Sequence, residues 1–332
     1  SSCLPYMFTY QTMKLTAVQA DGSPATGYQW YIDGVAAPGE TNPDFYYSPG
    51  TTGLTADALG NMKKTPKIKC DISNACGTVT SNEYEVTVVL ATLGKLSPIY
   101  VNAWSEAATN ANDFTDKTTG LVRTTYAHVN LGAEYELDPC EMLGDLYQWG
   151  RPKDGHQSRT PLSGTTNVQS TVAPPGHGNF ILAASNWLSS NISTLWGDGS
   201  QNYTMLKVVA NDPCPDGWKV PSYKQWGAIY QGGTIGGHPI DATANKWTPM
   251  GTFEENSVSG HKLSDALYLP AAGLRSDGDG KTRMIGILGL YWTSTATAGG
   301  YESSMHYSLS NTYIYGTSTT RVYGIPVRCI SD

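Results

Sequence analysis

Apolar and polar residues alternate in several short stretches of residues 1–92, which is the pattern of half-buried β-strands. The stretches are residues 13–19, 27–34, 67–72 and 82–89. The alternation predicts that Trp30 faces the interior, together with Ile68, Cys70 and Ile72. Asp33-Gly34 ends one of the strands with a turn. The pattern therefore predicts an all-β unit at the start of the chain.

A helical pattern follows residue 221. Ser222 stands at an N-cap position, and Gln225 is placed three residues later to complete a capping box. Trp226, Ile229 and Tyr230 then recur at the spacing of one apolar helix face. A Gly-Gly pair at 232–233 ends the pattern, because glycine tolerates the left-handed conformation found after helices. We expect a helix of about two turns.

The last residues predict a strand with Val327 and Cys329 on one face and Arg328 and Ile330 on the other. A disulfide between Cys214 and Cys329 would tie the turn before the helix to this strand. In the chain-entropy model such a loop contributes roughly 4 to 5 kcal/mol to stability.

Residues 101–212 show little periodicity. The segment 144–159 is the most distinctive, with Tyr147 and Trp149 on one face of a short strand. We interpret the region as loops and short strands of a C-terminal domain. The predicted organisation is an all-β domain over residues 1–92 and a loop-rich α+β domain with few short helices over residues 93–332.

The amino-acid composition limits which partners and which cellular locations are plausible for the protein. The 332 residues are 39% hydrophobic and 15% charged, with a net charge of −7. An acidic chain is a poor partner for nucleic acid or an anionic membrane, and no apolar run is long enough to span a bilayer. No signal peptide is visible, so the chain is either a mature form or intracellular. Six cysteines and the low charge favour an oxidising, extracytoplasmic location.

Cysteine pairing in the first domain stays open. If Cys70 faces the core, Cys76 lies past the turn and too far for a bridge, so Cys3 with Cys76 is the preferred disulfide and Cys70 is a buried thiol. The alternative leaves all three unpaired. Cys140 is either a free thiol or bridged to the N-terminal domain.

The N-terminal domain contains two distinctive motifs, Tyr-Gln-Trp-Tyr-Ile-Asp-Gly at residues 28–34 and Cys-Asp-Ile-Ser-Asn-Ala-Cys-Gly-Thr at residues 70–78. On these motifs the domain resembles bacterial immunoglobulin-like modules. Leu15 stands where such modules often carry a cysteine that pairs with the equivalent of Cys70. The usual disulfide between the two sheets should therefore be absent.

Five distinctive blocks follow one another at residues 144–159, 213–226, 267–275, 291–295 and 321–329. In these blocks and in their order, the chain from about residue 100 onward resembles the Fibrobacter succinogenes major paralogous domain, which is found in surface proteins of Bacteroidetes. The family is similar in fold to C-type lectin-like domains and to formylglycine-generating enzymes. The resemblance implies a secreted or surface-attached binding protein.

A stretch near the C-terminus combines tyrosine with serine, threonine and asparagine and has little charge. Tyrosine supplies a large contact area with few rotatable bonds, and the small polar residues supply adaptable hydrogen bonds, as in antibody paratopes. An alternative is that these are edge strands and turns, where tyrosine and threonine are common. The stretch also resembles variable regions of lectin-like proteins that retroelements diversify. The candidate ligand-binding residues are Tyr301, Ser303, Tyr307, Ser310, Asn311, Tyr313, Tyr315 and Arg321.

The sequence gives little support for metal binding or catalysis. Asp277-Gly-Asp279-Gly280 lacks the further carboxylates of an EF-hand loop and is typical of a hairpin turn. The six histidines have no chelating spacing, so we expect no metal and no cofactor. No Gly-x-Ser-x-Gly or His-Glu-x-x-His motif occurs. The cysteine pair of formylglycine-generating enzymes is also missing, since Cys329 is assigned to a disulfide.

The leading hypothesis is a non-enzymatic extracytoplasmic adhesin or receptor-binding protein, at a cell or virion surface. Its partner would be a surface glycan or protein, with no nucleic acid and no membrane insertion. The second hypothesis is a structural subunit of a fimbria, fibre or virion decoration, which contacts copies of itself or neighbouring subunits. An enzyme of the formylglycine-generating type is a third, disfavoured hypothesis.

Overall fold

The computed structural model describes residues 3–20, 22–105, 121–159, 164–230, 238–239, 244–296, 301–308 and 313–332; for 238–239, 301–308 and 313–317 the description covers the backbone. The chain divides into two units. Unit 1 is Ser1–Lys95 with Tyr135–Glu141, and unit 2 is Leu96–Glu134 with Met142–Asp332. Among the described residues, no helix is long and apolar enough to cross a membrane.

Unit 1 consists of short strands. Its strands are β1 (Tyr6–Phe8), β2 (Met13–Thr16), β3 (Gly27–Ile32), β4 (Val35–Ala36), β5 (Asp44–Tyr47), β6 (Thr55–Ala56), β7 (Met62–Lys64), β8 (Lys67–Asn74), β9 (Gly77–Thr80), β10 (Tyr84–Glu85) and β11 (Thr87–Val89). One sheet has the order β1-β11-β7-β6 and another the order β10-β8-β3-β4, with β9 also on β8; β2 pairs with β5. The predicted strands are present, but the last is split at Val86 into β10 and β11.

The core of unit 1 follows the predicted alternation. Trp30 lies opposite Cys70 in the β3–β8 ladder, and both are buried. Ile68 and Ile72 are buried on the same face. Leu15 lies opposite Phe45 in the β2–β5 ladder and is buried as well. Alternate strand positions therefore supply the apolar interior.

The expected disulfide between Cys3 and Cys76 is absent, and this prediction was wrong. Cys3 is joined to Cys140, while Cys76 is an exposed free thiol and Cys70 a buried one. The reason is that residues 135–141 belong to unit 1 and not, as predicted, to the C-terminal domain. Thr12 N donates to Leu137 O over 3.0 Å, which holds this segment against β2.

Unit 2 contains many short strands and one helix in its described residues. These are β12 (Pro98–Trp104), β13 (Leu121–Ala127), β14 (Tyr147–Gln148), β15 (Thr165–Thr166), β16 (Phe180–Ile181), β17 (Trp218–Lys219), α1 (Tyr223–Tyr230), β18 (His238–Pro239), β19 (Trp247–Met250), β20 (Gly260–Leu263), β21 (Leu267–Pro270), β22 (Leu274–Arg275), β23 (Thr282–Arg283), β24 (Leu288–Ala296), β25 (Tyr301–Ser308), β26 (Tyr313–Thr320), β27 (Gly324–Ile325) and β28 (Ile330–Ser331). The four-stranded sheets are β12-β13-β28-β17, β14-β27-β22-β23 and β18-β26-β25-β24; β19-β20-β21 and β15-β16 are smaller. Together with unit 1, the described chain is mostly β-sheet and loop.

The predicted helix is α1, and its capping box is formed. Gln225 N donates to Ser222 Oγ over 3.2 Å, and Ser222 N donates to Gln225 Oε1 over 2.8 Å. The two bonds satisfy backbone groups that a helix start leaves without partners. Trp226, Ile229 and Tyr230 are fully buried, as the apolar spacing predicted.

The C-terminal segment differs from its prediction. Strand β28 is limited to Ile330–Ser331, and Val327, Arg328 and Cys329 are buried ahead of it. The segment runs through the interior and has no exposed face, so alternation could not define it. The disulfide between Cys214 and Cys329 is present and lies in the main core of unit 2.

Candidate binding face

The candidate ligand-binding stretch forms an outer hairpin on a sheet of four strands, β24, β25, β26 and β18, which we call the hairpin sheet. Strand β24 is buried over most of its length, whereas β25 and β26 extend the sheet away from it. In the registers, Trp292 lies opposite Ser304 and His306 lies opposite Tyr315. A buried strand therefore anchors a hairpin rich in tyrosine and hydroxyl residues.

Helix α1 covers one face of the hairpin sheet. The Trp226 ring lies 5.5 Å from the ring of Tyr291 on β24. The Tyr291 hydroxyl donates to Pro270 O over 2.8 Å, so the residue is fixed on that face. The helix also lies against β25 and β26. The face of the sheet to which Tyr291 belongs is therefore the one packed on the helix.

The register divides the candidate residues between the two faces. Tyr291 lies opposite Met305, so Tyr301, Ser303 and Tyr307 occupy the set of alternate positions that belongs to the helix side. Tyr315 lies opposite His306, in the other set, and Tyr313 is two positions away from it. The sequence grouped these residues as one candidate set. Because successive strand positions alternate between faces, the set cannot act as one surface.

Two candidate residues, Ser310 and Asn311, lie outside the described residues.

Arg321 requires a correction, because it is fully buried and offers no surface for a ligand. Its guanidinium lies 4.5 Å from the centre of the Trp149 ring, and Nη1 donates to Ile192 O over 2.7 Å. A buried cation held by an aromatic ring and a backbone carbonyl stabilises a loop. Arg321 thus supports the end of the hairpin from the inside.

Strand β24 is held on both sides by buried indole groups. Trp149 Nε1 donates to Thr293 O over 2.8 Å, and Trp226 Nε1 donates to Trp292 O over 3.0 Å. Trp292 Nε1 in turn donates to Tyr147 O over 2.7 Å. Each bond pairs an indole N–H with a backbone carbonyl in the core, where an unpaired group would be costly. The floor of the hairpin sheet is consequently rigid.

A buried ionic network stabilises the loop after β14. Arg151 Nη2 donates to Asp154 Oδ2 over 2.8 Å, and the Nδ1 atom of His156 contacts Asp154 Oδ1. The Nε2 atom of His156 accepts from Gln148 N over 2.9 Å, which assigns the ring proton to Nδ1. Burial lowers the pKa of His156 to about 4, although the bond to Asp154 opposes the shift. Burial would raise the pKa of Asp154, but His156 and Arg151 outweigh it and hold this pKa below its usual value.

The turn at 277–280 is a hairpin between β22 and β23. The carboxylate of Asp279 accepts from Lys281 N over 3.1 Å and from Arg283 Nη2 over 2.7 Å. Arg275 Nη1 donates to His156 O over 2.9 Å and ties this hairpin to the loop after β14. The Asp279 carboxylate thus accepts hydrogen bonds from residues of the same hairpin, in agreement with the interpretation of 277–280 as a turn.

One cluster with metal-ligand side chains occurs among the described residues, formed by Cys3, Asp138 and Cys140. The two sulfurs are bonded to each other, so neither is a thiolate ligand.

Sequence reasoning missed the four fully buried arginines of unit 2, namely Arg151, Arg275, Arg321 and Arg328. A signal for three of them exists in the sequence. Arginine is the only charged residue type in the blocks 267–275 and 321–329. A charge in an otherwise uncharged, structured block indicates an internal partner. Arg151 lacks this signal, because its block contains four further charged residues.

No family model matches the chain, and no solved structure matches it. The chain is 35% identical over 206 residues to the highly immunogenic outer capsid protein of Enterobacteria phage T4, covering 59% of this chain and 44% of that protein. It is 28% identical over 144 residues to junctional adhesion molecule A of Homo sapiens, covering 37% of this chain and 47% of that protein. The chain spans less than half the length of either curated relative. By name, these relatives are an outer capsid protein and an adhesion molecule.

Proposed function

We propose that this protein is displayed on the surface of a cell or virion and recognises a glycan or a protein without catalysing a reaction. Unit 1 serves as an immunoglobulin-like spacer or attachment module, and unit 2 is a C-type lectin-like recognition domain. The similarities to an outer capsid protein and to an adhesion molecule support a surface role. Two disulfides support an oxidising, extracytoplasmic location.

The observation that carries the proposal is the hairpin sheet. Its inner strand is clamped by Trp149 and Trp226, and its outer hairpin has the tyrosine, serine and threonine composition of recognition surfaces. A rigid floor under an amphipathic surface reduces the ordering cost of binding. The hairpin sheet is therefore suited to docking on a preformed surface.

The register favours one side of the hairpin sheet as the docking face. Helix α1 packs on the side of Tyr291, to which Tyr301 and Tyr307 belong by register. The positions of Tyr313 and Tyr315 belong to the opposite side. The docking face is the side opposite the helix, with Tyr313 and Tyr315 as its aromatic residues and hydroxyl residues around them.

The state of the cysteines supports a non-catalytic role. Cys329 and Cys140 are both in disulfides, and the free thiols, Cys70 and Cys76, belong to unit 1. A formylglycine-generating enzyme needs a pair of reactive cysteines in the domain that corresponds to unit 2. That chemistry is disfavoured here.

Two double variants test the docking face. Replacing Tyr313 and Tyr315 by Ala should weaken binding by at least about tenfold, because stacking area is lost from the proposed contact surface. Replacing Tyr301 and Tyr307 by Ala is the matched control on the helix side and should change affinity much less. Binding is measured on a glycan array and on immobilised candidate surface proteins, after thermal unfolding shows that both variants are folded. Equal affinity of all three proteins for the same probe would refute the docking face.

The similarity to an outer capsid protein favours a second candidate, a structural subunit that decorates a virion. The main contacts would then be to other copies or to neighbouring capsid subunits. The solution mass separates the candidates. A monomer of 35.7 kDa fits the recognition role, whereas a stable trimer or a filament fits the structural one.

A further inference from the structure

The two disulfides close two loops that do not overlap along the chain. Cys3–Cys140 spans a sequence separation of 137 and Cys214–Cys329 one of 115. Between them lies a single stretch of chain outside both loops, from Cys140 to Cys214, with a sequence separation of 74 (214 minus 140). The loops follow each other in sequence and are not nested.

We propose that the protein is a tension-bearing tether whose two disulfides carry the load past most of the fold. A pull that enters at or before Cys3 and leaves at or beyond Cys329 passes through one disulfide to Cys140 and through the other from Cys214. Covalent bonds persist at forces that separate strands and helices. Residues inside either loop are therefore not extended. The proposal rests on the surface attachment proposed above, and it applies to a pull whose two points of attachment lie outside both disulfide loops.

The bypassed loops contain the elements that matter for display. All eleven strands of unit 1 lie between Cys3 and Cys140 in sequence. Helix α1 and the strands of the hairpin sheet lie between Cys214 and Cys329. A load applied outside the disulfides leaves the attachment module and the docking face folded. If the partner pulls on the hairpin sheet itself, the first loop is still bypassed.

The stretch that does bear the load is held by buried side chains rather than by long strands. Its strands, β14, β15 and β16, have two residues each. Trp187 Nε1 donates to Trp149 O over 2.6 Å, and Gln148 Nε2 donates to both Ile181 O and Val322 O over 2.8 Å. Buried hydrogen bonds such as these must break before this stretch lengthens, so the load falls on bonds in the core.

The proposal predicts the length of the extended chain with each disulfide closed or open. A fully extended chain spans about 3.4 Å per residue, so the 74-residue stretch can reach roughly 250 Å. Opening the Cys3–Cys140 loop adds roughly 460 Å, and opening the Cys214–Cys329 loop adds roughly 390 Å. Each increment is larger than the roughly 250 Å of the stretch outside both loops, so a pulling experiment distinguishes an open loop from a closed one.

Single-molecule pulling on the full chain, with handles fused to both ends, tests the proposal. The parent protein carries Cys76→Ser, which removes the exposed free thiol and touches neither disulfide; its extension should equal that of the unmodified chain. Cys3→Ser in this parent should lengthen the fully extended chain by roughly 460 Å, and Cys329→Ser by roughly 390 Å. Unfolding the parent in guanidinium with a phosphine before the pull should add both lengths, and this serves if a variant does not fold.

An unreduced parent that extends through its whole length would overturn the proposal, as would a phosphine-treated parent with unchanged length. These outcomes are independent of ligand recognition. The predicted lengths without binding of any probe would support the load path and contradict the docking face. Binding of a probe together with full extension would contradict only the load path.

Discussion

The two units of this protein are stabilised by different interactions. In unit 1, apolar side chains from alternate strand positions, such as Leu15, Trp30 and Ile72, fill the interior. In unit 2, the interior also contains fully buried arginines and tryptophans whose N–H groups donate to backbone carbonyls. Arg328 alone donates to Ala127 O, His128 O, Tyr268 O and Asn130 Oδ1. Alternating apolar side chains fill the interior of unit 1, whereas specific polar side chains also organise the loops of unit 2.

This difference has a physical origin. A ladder pairs backbone groups with each other and leaves side chains to pack. Loops leave backbone carbonyls buried without such partners, and an unpaired carbonyl costs free energy. Arginine and tryptophan meet this need because they carry N–H donors on side chains that also pack well. Unit 2 should therefore respond to pH and to the loss of single donors far more strongly than unit 1.

The largest expected effect is acid sensitivity confined to unit 2. Burial lowers the pKa of His128 to about 3 and of His156 and His261 to about 4. The folded pKa values lie below the unfolded value, so this stability is present above pH 6.5 and is lost as pH falls toward the folded pKa. Each histidine should remove about 2 kcal/mol between pH 7 and pH 5. Burial raises the pKa of Asp212 to about 7, and protonation of this group returns part of the loss.

Unit 1 is the internal control, because all six histidines of the chain lie outside it. Hydrogen exchange measured by mass spectrometry on the full chain gives opening free energies for peptides of each unit. The net loss in unit 2 should be roughly 3 kcal/mol, since three histidines outweigh one carboxyl group. A similar loss in both units would contradict the comparison.

Removing one buried donor comes next in size. Arg328→Met should destabilise unit 2 by about 2 to 3 kcal/mol, because three carbonyls and an amide oxygen lose their partner inside the core. Urea denaturation of the full chain measures the change, and hydrogen exchange assigns it to a unit.

The matched control is Arg283→Met, since Arg283 is exposed and pairs with Asp279 at the surface. This variant should stay within about 0.5 kcal/mol of the parent. If Arg328→Met were as stable as the control, apolar packing at this position would replace the hydrogen bonds, and the proposed distinction between the units would fail.

The same distinction explains what the sequence could predict. Period-two alternation identified Trp30, Ile68, Cys70 and Ile72 as core residues, and all are buried. The alternation depends on neighbours along the chain, which a sequence shows directly. The association of Tyr135–Glu141 with unit 1 depends on partners distant in sequence, and so does the pairing of Cys3 with Cys140. No local sequence pattern encodes this association or this disulfide.

The candidate site shows the same limit. The composition predicted a binding role for the stretch that forms β25 and β26. It could not assign residues to the two faces of the sheet, because that assignment requires the strand register. Arg321 was included in the candidate set because it is close in sequence to the tyrosine-rich stretch. Its ring partner, Trp149, is far away in sequence, so the burial became visible only in three dimensions.

The smallest expected effect concerns the one element of unit 2 that local sequence did specify, helix α1. Ser222→Ala removes the acceptor for Gln225 N and should cost about 1 kcal/mol. The loss should be greatest in the exchange of amides in the first turn of the helix, while peptides of unit 1 remain unchanged. Ser190→Ala, at an exposed loop position, is the control and should have almost no effect. If both serine variants behaved alike, the fixed floor around β24 rather than the capping box would set the start of the helix, because Tyr223 N also donates to Thr295 Oγ1 over 2.9 Å.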